Sequence, residues 1–156
     1  MRNNIKKRQV DCPKLESFIP IIKERLETGA SVIFSPHGVS MLPLIRQGKD
    51  NVELSPLPKI INRYDIILYQ RRNGKYVLHR VVRIEGDQLL MMGDNQFVIE
   101  RGITRENALA LVTAVYRKNT RIKTSNLIYR IYSILWYKMR MVIMLFKRKS
   151  KFLKGL

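Results

Sequence analysis

The feature that most restricts the fold is a series of short apolar runs between Ser31 and Arg117, each closed by Gly, Pro, Asn or charge before it can wind several helical turns. The runs are SVIF, NVEL, DIILYQ, YVLHRVVRI, QLLMMG and ALALVTAVYR, and they are rich in β-branched residues. Such texture predicts strands that pair with their neighbours in sequence, so residues 30–118 are read as a small antiparallel β domain. The clearest hairpin joins Ile66–Gln70 to Lys75–Ile84 across Arg71-Arg72-Asn73-Gly74, because Asn-Gly tolerates the positive φ of a tight turn. A second joins Val77–Ile84 to Gln88–Met92 across Glu85-Gly86-Asp87. With 156 residues, 46% of them hydrophobic, the chain can bury one real core, and disorder throughout is excluded.

Helical spacing flanks this domain on both sides. Leu15, Phe18, Ile21, Ile22 and Leu26 recur at helical intervals, with Pro20 at a first turn or kink and Gly29 as a stop, which makes residues 1–29 an N-terminal helical segment. Residues 119–156 read as a basic amphipathic helix and tail. At 100° per residue, Arg130, Ser133, Tyr137, Lys138, Arg140 and Arg148 fall in one arc of roughly 160°, opposite most of the apolar positions.

Charge is concentrated in that tail. The net charge is +18, and residues 117–156 supply 12 basic side chains and no acidic one. Tyr132, Trp136 and Tyr137 are residue types that favour a lipid headgroup layer, and the lysines and arginines attract anionic lipid. The expectation is a protein associated with a membrane surface through its C-terminal helix, on an unspecified side. Nucleic acid is a less favoured partner. No run reaches the ~18 uncharged apolar residues of a spanning helix, since Leu127–Phe146 contains Arg130, Lys138 and Arg140. The basic opening Met1–Arg8 leads into Asp11, Lys14 and Glu16, which break the apolar core expected of a secretory leader. One cysteine, Cys12, and two histidines are too few for an internal disulfide or a typical Cys/His zinc site, so no metal or organic cofactor is expected.

Three segments hold polar residues that a β core does not need. In Pro36-His37-Gly38-Val39-Ser40-Met41-Leu42-Pro43 a serine stands between a flexible glycine and a stiffening proline, a setting that can present a nucleophile with backbone amides around it. In Tyr76-Val77-Leu78-His79-Arg80-Val81-Val82 a histidine interrupts an apolar strand, and Met91-Met92-Gly93-Asp94-Asn95-Gln96 ends a strand in turn-forming residues. Taken singly, each also reads as ordinary structure: a turn, a satisfied core histidine, an Asx turn.

Together, in this order, the three resemble the type I signal peptidases, membrane-bound serine proteases grouped with the LexA-type self-cleaving repressors. Ser40-Met41-Leu42-Pro43 matches the Ser-Met-x-Pro box, and Gly48-Lys49-Asp50-Asn51-Val52 matches Gly-Asp-x-Val with a one-residue shift. Asp65-Ile66-Ile67-Leu68, Arg80-Val81-Val82 and Gly93-Asp94-Asn95 match the remaining elements, so residues 36–116 are covered. The residue before Arg-Val-Val is His79, where the usual bacterial enzymes have lysine; the resemblance is thus to the histidine-type subgroup of the endoplasmic reticulum, archaea and spore-formers.

The resemblance implies a small antiparallel β-barrel or ribbon fold and a serine endopeptidase that cleaves a leader or signal peptide after small residues. It makes Ser40 the nucleophile, His79 the general base and an acid from the Gly-Asp-Asn region the orienting partner. Asp94 is the first choice and Glu100 the second, because Ile99-Glu100 replaces the family's paired aspartates. Gly38, Val39, Met41 and Pro43 would line the substrate and oxyanion site. A neutral imidazole can take a hydroxyl proton directly near pH 7, which agrees with the histidine assignment. Lys75 shares a strand face with His79 and is a rival base, but it also reads as a solvated hairpin end. The resemblance departs from the family in the absence of an N-terminal anchor before the serine box and of a large inserted domain. A non-catalytic peptide-binding module on the same fold is therefore the alternative. A LexA-type regulator is disfavoured, because no DNA-binding domain precedes the β domain.

Overall fold

Strand and turn residues along the chain set the element order. The computed structural model describes residues 15–118 and 120–153, with side chains to 146. The elements are α1 (Leu15–Glu27), β1 (Val32–Phe34), β2 (Asp50–Ser55), β3 (Ile66–Gln70), β4 (Tyr76–Glu85), β5 (Gln88–Met92), β6 (Glu100–Thr104), a 3-10 turn (Arg105–Asn107), β7 (Ala108–Arg117), β8 (Thr120–Lys123) and α2 (Leu127–Leu153). Cys12 and the start of the expected N-terminal segment lie outside the described residues. The β domain extends five residues past its expected boundary at 118, because β8 pairs back on β7 with Ala114 opposite Lys123.

The strands form one antiparallel sheet in the order β1-β2-β7-β3-β4-β5-β6, with β8 also on β7. Among the described residues β1 pairs only with β2 and β6 only with β5, so the sheet is open and the expected barrel does not close. The three-residue β1 offers too short a ladder to meet the far edge. Both expected hairpins are present. Gly74, at φ 81°, turns β3 into β4, and Gly86, at φ 61°, sits in the Gly86-Asp87 link between Glu85 and Gln88.

The sheet is covered on two faces. Ile66 and Leu68 point into a core with Leu54, Leu78, Val112 and the α1 residues Ile19, Ile22 and Leu26. Ile67 and Tyr69 point the other way, against Val81, Leu89, Met91 and Ile103. Full burial of each of the three α1 residues contributes about 1.5–3 kcal/mol. α1 ends as its sequence suggests, with Gly29 at φ 79° and Ala30 N–H donating to Arg25 O at 3.1 Å.

α2 is capped by Asn126, whose Oδ1 accepts from Ile128 N at 2.9 Å. It lies on the β domain with the side that carries Ser133, Trp136 and Tyr137. Trp136 Nε1 donates to Asp94 O at 2.9 Å, and the Tyr137 ring meets Tyr64 edge-on at 5.8 Å. Trp136 and Tyr137, expected as membrane contacts, thus touch the β domain and are partly exposed, and Tyr132 is half exposed. No helix among the described residues is long and apolar enough to cross a membrane.

Candidate active site

His79 is the best-defined member of the site. In β4 it alternates with Leu78 and Arg80 and so faces the second core, where it is 1% exposed. The hairpin register sets Ile67 opposite His79 and Tyr69 opposite Val77, which brings the Tyr69 ring beside the imidazole. Tyr69 OH and His79 Nδ1 are hydrogen-bonded at 3.1 Å, and Glu100 Oε1 lies 3.1 Å from the same nitrogen. Glu100 is held from its other side by Arg71, whose Nε donates to Oε2 at 2.8 Å while Nη2 donates to Oε1.

These neighbours set the charges. Burial, only partly offset by the Glu100 charge, holds His79 below the ordinary imidazole value, so the ring is neutral at pH 7. Partial burial pushes Glu100 upward, but Arg71, Tyr69 and His79 outweigh it and keep the carboxyl below its usual range. Desolvation drives the Tyr69 hydroxyl well above the usual phenol value, with the Glu100 charge adding to it.

Asp94, the acid favoured from sequence, has another partner. Arg80 Nε donates to its Oδ1 and Nη2 to its Oδ2, both at 2.7 Å, and the two side chains are 1% and 4% exposed. A bidentate pair this buried uses both carboxylate oxygens, so the acid in contact with His79 is Glu100. Arg80 also donates to Tyr64 O at 2.9 Å, which ties the pair to the loop before β3.

The serine loop meets the strand pair that carries His79 through Gly93. Arg80 opposite Met92 is the last pair before His79 and Gly93, so these two residues stand next along their strands. Ser40 O accepts from Asn95 N at 2.7 Å, and Asn95 Nδ2 donates to Val39 O at 3.2 Å. A Cβ at Gly93 would lie 2.8 Å from Ser40 O, so any side chain there would push the loop away. Farther along, Asp50 anchors the loop to β7 by accepting from Arg46 and Arg117. Burial alone would raise Asp50, but these hydrogen bonds hold its carboxyl at about 2.

Ser40 is half exposed at the mouth of a cavity of about 340 Å³, lined by Pro36, Gly38, Met41, Ile45, Tyr76 and Leu78 among others. Among the described residues Ser40 Oγ makes no hydrogen bond, to His79 or to any other group. Gly38 N–H donates to Gln47 Oε1 at 2.8 Å, while the amides of Val39, Ser40 and Met41 have no acceptor among those residues. The structure therefore places Gly38 and Met41 on the cavity, and Val39 is 60% exposed beside it. Pro43 is not among the cavity residues. Lys75 is exposed in the β3–β4 turn, where its N–H donates to Asn73 Oδ1 at 3.2 Å.

Sequence reasoning missed Tyr69 and Arg71. Once the Asn73-Gly74 turn fixes the hairpin, Ile67 and Tyr69 share a face with Val77 and His79, so Tyr69 was accessible from alternation alone. No protein-family model, curated protein or solved structure matches this chain.

Proposed function

We propose that the protein is a serine endopeptidase resembling type I signal peptidase of the histidine type. The observation that carries this reading is the buried His79 with a carboxylate on Nδ1, next to the end of the strand whose Gly93 and Asn95 meet the serine loop. A carboxylate can only accept, so Glu100 favours the tautomer with the proton on Nδ1 and a lone pair on Nε2. Nε2 takes the proton from Ser40 Oγ as Oγ attacks the peptide carbonyl. His79 then returns it to the leaving amine, and an acyl-enzyme forms that water hydrolyses by the same route. Glu100 orients the ring and stabilises the imidazolium. The free amides of Val39, Ser40 and Met41 are the donors available to the oxyanion. The substrate is a peptide or preprotein whose residue before the scissile bond enters the cavity beside Ser40.

The reading requires the exposed serine loop to close on His79 by bringing Oγ within hydrogen-bond reach, as catalytic contacts commonly tighten only with substrate bound. The missing Ser40–His79 bond and the engagement of Gly38 N–H by Gln47 favour the alternative, a peptide-binding module without turnover. Cleavage of an unstructured peptide carrying alanine before one bond separates the two. Wild-type turnover that Ser40→Ala abolishes supports the protease, whereas peptide binding without cleavage by either protein supports the module.

A further inference from the structure

α2 is mounted with its polarity reversed. An amphipathic helix on a globular domain ordinarily turns its apolar stripe to the core. Here the domain receives Ser133, Trp136, Tyr137 and Arg140. Ser133 is 1% exposed, Trp136 bonds Asp94 O, and Arg140 lies 3.7 Å over the Phe97 ring. The opposite side carries Ile128, Ile131, Leu135, Met139, Val142 and Phe146, which are 42–78% exposed. At 100° per residue these six lie within about 80° of one another, and between Ile128 and Phe146 Lys138 is the one charged side chain near their arc.

We propose that this outward stripe is the surface by which the protein lies on an anionic lipid bilayer, with α2 parallel to the membrane plane. Charge selects this occupant from the other candidates. Residues 117–156 carry 12 basic side chains and no acidic one, so packing the same face of a second copy against it would bring two strongly positive segments together. A nucleic acid would need a basic surface, whereas the outward face is apolar. A bilayer with anionic headgroups offers hydrocarbon to the stripe and negative charge to the flanking lysines and arginines. The 27-residue α2, about 40 Å long, is not apolar enough to span, which agrees with lying in the interface. The proposal is independent of the peptidase reading.

The test is sedimentation of the full chain with vesicles of phosphatidylglycerol and phosphatidylcholine, beside vesicles of phosphatidylcholine alone. Wild type should bind the anionic vesicles and keep part of that binding at about 1 M salt, where headgroup attraction is screened. The Leu135→Gln/Val142→Gln variant touches no core residue and should lower the bound fraction by about tenfold or more. In a Trp136→Phe background, Leu135→Trp emission should move to the blue on vesicle binding, whereas the native Trp136, facing Asp94, should report little change. Binding abolished by salt and unaffected by the outer-face substitutions would overturn the proposal. So would no binding to anionic vesicles, or a concentration-dependent dimer that the same substitutions dissolve.

Discussion

The two halves of the candidate site are built on opposite principles. The base half is buried and cross-linked: His79 is fixed by Tyr69 and Glu100, and Glu100 by Arg71. The nucleophile half is a half-exposed loop held mainly by backbone and anchor contacts, through Asn95 to the end of β5 and through Asp50 to β7. On the proposed reading, burial tunes a base and holds its tautomer, whereas a nucleophile must admit substrate, which suits a partly exposed loop whose Ser40 hydroxyl is unengaged among the described residues. If this division is right, damage on the base side should change proton transfer, and damage on the loop side should change alignment.

The largest expected effect is chemical. Ser40→Ala and His79→Ala should each lower turnover by about a thousandfold or more while far-UV circular dichroism stays native for Ser40→Ala, whose hydroxyl has no partner among the described residues. A fully active His79→Ala enzyme would end the comparison at once. Next comes the separation of the two acids. Glu100→Gln should cut turnover about 10²- to 10⁴-fold by removing the group that orients the imidazole, with Ser40 still open to acylation. Asp94→Asn should instead cost about 3–5 kcal/mol of stability, because Arg80 is left buried with its charge unpaired. Thermal melts and kinetics on both variants would show whether the roles are exchanged.

Gly93→Ala sharpens the loop side. Its methyl would displace Ser40 O from a 2.8 Å approach, and a shift of about 1 Å at a nucleophile can cost around 10²-fold. The stability measured by denaturant should fall less than the rate. Acid should act on the anchor of the same loop. The folded Asp50 carboxyl is held at about 2, below the unfolded value of about 3.9, so its contribution is complete above pH 4 and is lost as the pH falls toward 2. Asp50→Asn should therefore flatten the acid limb of the stability curve. The smallest effect is expected from Lys75→Ala: the side chain is exposed at the hairpin turn, and rate and stability should stay within about 0.5 kcal/mol of wild type.

Much of the scaffold was legible because turn chemistry is local. Asn73-Gly74 and Gly86-Asp87 marked both hairpins, and Ser40 and His79 stood out as polar residues in places a β core does not require. The contact of Glu100, rather than Asp94, with His79 was not legible because it is tertiary. Arg80 neighbours His79 in sequence but faces the other way, and its burial demands a carboxylate, which Asp94 supplies two residues past Arg80's cross-strand partner Met92. β6 and β8 were hidden by charged, short sequences such as Glu100–Thr104 and Thr120–Lys123, whose pairing depends on a neighbour already in place. The mounting of α2 was hidden for a different reason. Periodicity identifies an apolar stripe but does not say which surface it meets, and here the domain takes Trp136 and Ser133 instead.

The most direct measurement is acylation of Ser40 by a fluorophosphonate, located by mass spectrometry and followed against pH in wild type and His79→Ala. Labelling should fall on Ser40, and its rate should rise with pH through a midpoint below about 6.5, the ordinary imidazole value that burial depresses here. The dependence should vanish with the histidine. Absence of label on Ser40, or equal labelling in both proteins across that range, would contradict a serine activated by His79.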